Sequence, residues 1–329
     1  MKVVHFHRRR RPTGNYSIEG FYANVRNELK EKINIEYVEL PFYSNGIFRR
    51  LLNCIYAAFK QGDVNHITGD VNYLNIFFNK NKTIVTILDC GLLDDTKGMA
   101  HKIYKYFWFT LPVKKSKFIV AISEATKKEI LKYVKCDPDK IKVIHVSVSP
   151  IFHRADKEFN KEKPVILHIG TAPNKNLSRL VEAVREINCK LCIIGNPDAA
   201  ILKKLNEYKI EFDVFKNLTE TELFEKYKSC DLLFFASTYE GFGMPIVEAN
   251  IVGRPVITSN LYSMPEVAGD AALIIDPYNI DEIRNGIIKI IKDDDLRNEI
   301  VKKGFMNADR FVLNKISQQY FELYNQIII

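Results

Sequence analysis

The sequence predicts an α/β protein of two doubly wound parallel-sheet domains facing a central cleft. Short runs rich in β-branched residues alternate with helical patterns along nearly the whole chain, as parallel βαβ units require. The alternation breaks once, at the charged stretch 149–163 (SPIFHRADKEFNKEK), and resumes after Pro164. A length of 329 residues is generous for one such domain and comfortable for two.

In the first half the strand-like runs are Lys2–His7, Ile35–Leu40, Val64–Ile67, Thr83–Leu88, Lys117–Ile122 and Lys142–Val146. Helical patterns such as Ile18–Glu31 and Glu124–Val134 lie between them. The break is read as a linker, which sets the domains at 1–150 and 151–329. The second half repeats the scheme with Val165–Gly170, Lys190–Gly195, Phe212–Lys216, Asp231–Ser237, Pro255–Ser259 and Ala271–Asp276. Its helices include Leu177–Ile187, where Leu177, Leu180, Val181 and Val184 recur at i, i+3, i+4 and i+7. Another opens at Thr219, with Glu222 placed to close a capping box. Domains of this kind bind ligands outside the carboxyl ends of their strands, so the turns that follow strands are the places to search.

Composition narrows the classes. Hydrophobic residues make up 47% and charged residues 27%, the balance of a globular protein with material for two cores. A net charge of +8 suggests an anionic partner: nucleotide diphosphate, anionic lipid or nucleic acid. No aromatic–basic recognition motif supports nucleic acid. No apolar run reaches membrane-spanning length, and Met1–His7 leads into Arg8–Arg11 without a signal-peptide core, so a cytoplasmic location is expected. The six cysteines read as buried thiols. Cys189 and Cys192 have CxxC spacing, but no second pair completes a zinc site, and neither metal nor disulfide is expected.

The chemistry concentrates at residues 237–250, STYEGFGMPIVEAN. A strand delivers the chain into Glu240-Gly241-Phe242-Gly243, and a helix begins near Met244 with Pro245 in its first turn, where proline is favoured. The amides of Gly241 to Met244 then point out of the helix end, with the positive half of its dipole behind them, as a cradle for phosphate or hydroxyl oxygens. Glycines on either side of Phe242 let backbone approach a ligand closely. Glu248 follows Met244 by four residues, and the tilt of helical side chains leans its carboxylate toward the same ligand. Two carboxylates beside a diphosphate make sense if each accepts from neutral hydroxyls, one set on a sugar and one on ribose. A Gly-rich turn with a surface glutamate at each end is the plainer alternative; the strand–turn–helix context weighs against it. In the second anchor, HIGTAPNKNLSRL (168–180), Lys175 precedes a helix start and suits a diphosphate. A solvated lysine before an N-cap, Asn176, explains it equally well when taken alone.

Glu240 to Glu248 resembles the EGFG-x-P-x-x-E signature of the large retaining glycosyltransferase family four. Asn217–Leu223 is similar to that family's base-binding turn, and SEATKKEI (123–130) to its first-domain exit helix. GRPVITSN (253–260) and MPEVAGDAALIIDP (264–277) follow in the family's order. The resemblance covers the second half throughout and the first more loosely. It implies the GT-B fold, two Rossmann-like domains, with the last helix, about 313–326, crossing back to the first. It also implies retaining transfer from a UDP-, GDP- or dTDP-linked sugar to a glycan or lipid-linked acceptor, with no cofactor and no metal. Carried over, Glu240 contacts the donor sugar and assists its departure, Glu248 holds ribose, and Lys175 holds the diphosphate. Phe215, Asn217 and Leu218 surround the base, while Gly14 approaches the diphosphate from the first domain. Thr171 stands where the family often has Arg, and Val146-Ser147-Val148-Ser149 where it has N-G-V-D. Leu88-Asp89 stands at its His-Asp, which makes Leu88 a donor contact and Asp89 a catalytic candidate. These departures bear on donor and activity, not on fold. Other GT-B catalysts (a nucleotide-sugar epimerase or phosphorylase) and a non-catalytic binding module are the alternatives.

Residues 102–118 (KIYKYFWFTLPVKKSKF) interleave lysines with aromatics, and Arg49–Lys60 is a second basic, apolar helix. They suit either an anionic membrane surface or the first domain's core. Arg8–Arg11 reads as a solvated loop or a phosphate contact, His66 as an acceptor contact or a structural histidine, and His5 and His7 as strand residues.

Overall fold

The computed structural model describes residues 1–10 and 17–328, and the chain divides into two compact units. Unit 1 comprises Met1–Ser149 together with the chain from Leu313; unit 2 is Pro150–Val312.

Unit 1 is built on six parallel strands: β1 (Lys2–His7), β2 (Asn34–Glu39), β3 (Val64–Ile67), β4 (Thr83–Ile87), β5 (Phe118–Ala121) and β6 (Ile141–Val143). Their order is β2-β1-β3-β4-β5-β6. Strands β3 and β4 are buried at every residue, while edge strands β2 and β6 are partly exposed. Helices on both faces impose this, and the central strands bury polar Asn65, His66, Thr83 and Thr86 along with their apolar residues. The helices are α1 (Ser17–Leu29), α2 (Ile47–Ala58), α3 (Gly91–Asp95), α4 (Gly98–Lys105), α5 (Leu111–Lys114) and α6 (Glu124–Tyr133), with a π-helical turn at Tyr106–Thr110. The aromatic stretch 102–118 is largely core: Trp108 and Phe109 are buried and Tyr104 packs against them, leaving Tyr106 and Phe107 exposed. Of the two readings of this stretch, the core accounts for Tyr104, Trp108 and Phe109. Further exposed apolar side chains lie on α2, at Ile47, Phe48, Leu51, Ile55 and Tyr56, with Phe59 just beyond its end.

Unit 2 repeats the plan with β7 (Val165–Ile169), β8 (Lys190–Ile194), β9 (Glu211–Phe215), β10 (Leu232–Phe235), β11 (Val256–Ser259) and β12 (Leu273–Ile275), in the order β12-β11-β10-β7-β8-β9. Its helices are α7 (Leu177–Val184), α8 (Ala199–Glu207), α9 (Glu220–Ser229), α10 (Met244–Val252), α11 (Met264–Ala268), α12 (Ile280–Lys292) and α13 (Asp294–Ala308). Stretch 149–163 is no spacer. Phe152 is buried, Phe159 packs against the unit 2 core, and the buried Asp231 accepts from the amides of Asn160 (3.0 Å) and Val165 (2.8 Å) and from Lys157 Nζ. One carboxylate thus straps the segment to the start of β10.

The last helix, α14 (Leu313–Ile328), packs within unit 1 through a buried polar seam. Tyr324 OH shares hydrogen bonds with His5 Nε2 (2.8 Å) and His66 Nδ1 (2.9 Å). His66 Nε2 and Tyr22 OH both meet Thr86 Oγ1, at 2.8 and 2.6 Å. His66 is therefore a satisfied structural histidine rather than an acceptor contact. All six cysteines are free thiols, five of them buried.

Candidate active site

In unit 2 the strand order reverses direction between β7 and β10, and ligands of open α/β sheets bind outside the carboxyl ends at such a point. The turns after these two strands carry both sequence anchors. They are laced together by asparagines. Asn174 Nδ2 donates to Tyr239 O (3.0 Å), Thr238 N donates to Asn174 O (2.8 Å), and Asn176 Nδ2 donates to Ala236 O (3.1 Å) and Pro277 O (2.7 Å). Asn176 was expected as an N-cap. It stands at that position with φ 66° but makes no side-chain cap, because its amide is spent on these carbonyls and its Oδ1 accepts from Arg179 (2.9 Å).

The lacing sets Lys175 Nζ 2.5 Å from Glu240 Oε1. Lys175 folds back over Gly170, whose φ is +92° and where a Cβ would lie 2.8 Å from Lys175 Cγ. Any larger residue would displace the lysine stem. After Glu240 the chain reaches Gly243, left-handed at φ 108°, and α10 begins at Met244 with Pro245 in its first turn. Ser263 holds this turn. Its buried hydroxyl lies 2.9 Å from Glu240 O and 2.7 Å from Phe242 O. Ser263 stands at the N-cap position of α11 but makes no side-chain cap there, since the hydroxyl is committed to the turn. The Phe242 ring is buried against Phe311 at 5.5 Å, so the residue meets the site through its backbone only.

Glu248 is buried on α10 and accepts from Tyr227 OH at 2.6 Å. Burial pushes its carboxyl up to about 7, partly offset by the tyrosine's hydrogen bond. Tyr227 itself was missed by the sequence reading. Its signal was its place in α9, whose capping box by Thr219 and Glu222 is present as expected. The neighbouring Lys226 lies over the Phe215 ring, 3.6 Å from its centroid. Asn217 is exposed with φ 52°, and Leu218 is half-buried beside it. Thr171 Oγ1 accepts from Asn196 N (3.0 Å), which ties the ends of β7 and β8 together without contributing charge.

Leu88 and Asp89 follow β4 in unit 1. Leu88 is half-buried and its carbonyl accepts from Thr126 Oγ1 (3.4 Å); Asp89 is exposed and accepts from Gly91 N at 3.0 Å, heading α3. Gly14 lies outside the described residues. The structure thus brings Lys175, Glu240 and the Gly241–Met244 turn together, with Glu248 further along α10. Among the described residues no group of three or more His, Cys, Asp or Glu is arranged to hold a metal ion, and no helix is long and apolar enough to cross a membrane.

Residues 151–306, within unit 2, match the family model described as Glycosyl transferases group 1. The chain is 38% identical over 98 residues to the O-antigen chain mannosyltransferase B of Escherichia coli, covering 30% of this chain and 26% of that protein. It is 27% identical over 252 residues to the O-antigen chain mannosyltransferase RfbU of Salmonella typhimurium, covering 73% of this chain and 70% of the other. It spans only 27% of the length of another relative, the serotype-specific mannosyltransferase WbdA of Escherichia coli. Among solved structures, Anabaena HepE in complex with UDP and glucose superposes with a TM-score of 0.80 at 15% identity, over 99% of this chain and 100% of that one. WaaG, a glycosyltransferase involved in lipopolysaccharide biosynthesis, does so with a TM-score of 0.75 at 14% identity, covering 98% and 99%. The fold is GT-B.

Proposed function

We propose that this chain is a retaining, metal-independent glycosyltransferase that moves a sugar from a nucleotide-diphosphate donor to an acceptor hydroxyl in cell-envelope glycan assembly. The observation that carries the reading is the Lys175–Glu240 contact at the switch point of a group 1 domain, 2.5 Å long and capped by the Gly241–Met244 turn. In this reading the incoming diphosphate takes over the Lys175 ammonium, and Glu240 turns to the sugar hydroxyls. Glu248 receives ribose, and Phe215, Asn217 and Leu218 border the base. Thr171 takes the place of a second cation, Gly14 meets the diphosphate, and Leu88 and Asp89 contribute the sugar contact and catalytic group that the family resemblance implies. No second carboxylate in the turn has a claim to the anomeric carbon, so a covalent sugar–enzyme intermediate has no evident nucleophile. Front-face substitution follows instead. The acceptor oxygen bonds to the anomeric carbon as the carbon–phosphate oxygen bond breaks, and the departing phosphate takes the acceptor proton. Lys175 and the helix amides stabilise the charge on that leaving oxygen.

The related mannosyltransferases support a glycan or lipid-linked acceptor, and the UDP complex of HepE supports a nucleotide donor without a separate cofactor. A cytoplasmic chain in peripheral contact with anionic membrane suits α2, which has exposed apolar side chains, two arginines and no acid. The deciding experiment incubates the chain with UDP-, GDP- and dTDP-sugars and a membrane lipid extract, with and without chelator. Mass spectrometry should show one sugar added to a lipid-soluble product, with the anomeric configuration kept by NMR. Donor consumption without an acceptor product would instead favour an epimerase, and no consumption at all a binding module.

A further inference from the structure

In unit 1 the strand order reverses between β1 and β3, so this sheet has a switch point of its own. A cavity of about 380 Å³ lies there, within the size range of small-molecule sites. Arg8 and Arg9 follow β1, Asp70 follows β3, and Arg50 reaches in from α2. Trp108 and Tyr104, stacked at 5.0 Å, form the apolar wall.

The charges in this cavity are unbalanced: three guanidinium groups against the one carboxylate of Asp70 in the lining. Arg8 donates from Nε to the buried Glu19 at 2.8 Å. Arg9 stacks on Tyr43 at 5.0 Å and donates to Pro41 O, and Arg50 stacks on Trp108 at 4.6 Å and donates to Ser44 O at 3.1 Å. Neither Arg9 nor Arg50 forms an ion pair among the described residues, and Arg50 Nε is buried there without a hydrogen-bond partner. A buried donor without a partner costs about 1–3 kcal/mol, which a bound acceptor group would relieve. The planar fork of arginine matches phosphate, and two cations in no ion pair among the described residues match a dianion.

We infer that this cavity binds a phosphate or diphosphate group of the acceptor, with the adjoining part of the acceptor against Trp108. This rests on the transferase reading above and adds the chemical class of the acceptor. Ile47 and Phe48, 85% and 73% exposed, sit within a turn of Arg50 on α2 and suit a phosphate that carries a lipid.

Trp108 is the only tryptophan of the chain, so its emission reports on this cavity directly. The test titrates the full chain with farnesyl diphosphate, glucose 1-phosphate, farnesol and glucuronate at about 0.15 M ionic strength, where distant surface charges are screened. A saturable change with farnesyl diphosphate and none with farnesol is the expected result. Arg9→Gln leaves the tryptophan's own neighbours in place and should weaken binding about tenfold, as the loss of a charged hydrogen bond does. Arg50→Gln serves as the second variant, and unchanged thermal midpoints show that both fold. Equal affinity for glucose 1-phosphate would support the site with a sugar phosphate as its source. The inference is overturned if no phosphate compound changes the emission, if glucuronate binds as well, or if neither variant weakens binding. Displacement by a nucleoside diphosphate would also overturn it, because the cavity would then belong to the donor. Calorimetry of the nucleoside diphosphate tests the unit 2 reading separately, so failure of one is distinguishable from failure of the other.

Discussion

The two units share a six-stranded parallel sheet and differ in what they place at its switch point and in their cores. Unit 2 sets a single cation against a single carboxylate, Lys175 on Glu240, in turns held by asparagine amides and Ser263. Unit 1 sets three arginines against one aspartate. The cores diverge as well. Unit 2 buries one histidine, His168, whereas unit 1 buries His5, His7 and His66 among Tyr22, Tyr320 and Tyr324. One backbone plan therefore tolerates opposite charge arrangements at the same topological place, because the sheet's apolar interior carries the fold and the strand-end turns carry the chemistry.

The largest effect expected from this contrast is an acid lability greater in unit 1 than in unit 2. Burial holds His5 and His7 well below their ordinary value near 6.5 and His66 at about 3. Protons then bind the unfolded chain and not the folded one. The stability of the folded form is full above pH 6.5 and is lost as pH falls below it, by about 2 kcal/mol at pH 5 for His66. His168, lowered to about 4, gives unit 2 only one such contribution. Urea unfolding followed by Trp108 emission at pH 7 and pH 5 should show unit 1 weakening more than the far-UV signal of the whole chain. Coincident transitions at both pH values would erase the distinction.

Next in size is the catalytic pair. Glu240→Gln and Lys175→Ala should each lower turnover about 10²- to 10³-fold, the scale of a lost electrostatic stabiliser. Glu240→Gln should do so with little change in nucleotide affinity. A fall in affinity as large as the fall in kcat would show that the pair acts in binding.

Glu248→Ala should weaken nucleoside diphosphate binding by about 1–3 kcal/mol, as for any lost charged acceptor. Burial pushes its carboxyl up to about 7, and in the proposed ribose contact only the ionised form would accept from both hydroxyls. Affinity in the native chain should therefore rise between pH 6 and pH 8, and Glu248→Gln should flatten that rise. Calorimetry across this range decides it.

The smallest effect concerns Leu88 in unit 1. A leucine offers no hydrogen bond to a sugar hydroxymethyl, while burying a methyl against it gains about 0.8 kcal/mol. The natural donor is expected to carry a 6-deoxy sugar, with a preference below about a hundredfold. Ratios of kcat/KM for paired 6-deoxy and 6-hydroxy donors should reverse in Leu88→His. A rise on every donor would mark Leu88 as a disabling change instead.

The alternating runs announced all the strands of both sheets, and the observed strands mostly stop a residue or two earlier. Asp231–Ser237, for example, shortens to Leu232–Phe235 because the carbonyl of Ala236 leaves the ladder to accept from Asn176. The capping box at Thr219 and the helix start at Met244 were equally legible, since both are local devices read within a few residues. Asn176 was misread for the opposite reason. It has a good local capping role, and its amide donates to carbonyls far away in sequence.

What the sequence alone determined is the periodic part: strand and helix alternation, the restart after Pro164, and the residue types gathered around Glu240, Glu248 and Lys175. Backbone propensity and side-chain patterning act over a few residues, so they survive in a linear reading. What only the tertiary structure decided is which of those residues meet. The strand order put the turn after β7 beside the turn after β10, 65 positions apart, and so set Lys175 on Glu240. It likewise put Arg50 on Trp108, turned Trp108 and Phe109 inward, and strapped 149–163 to Asp231. Pairing between distant strands is chosen by the summed burial of the whole core, and no local pattern records that choice.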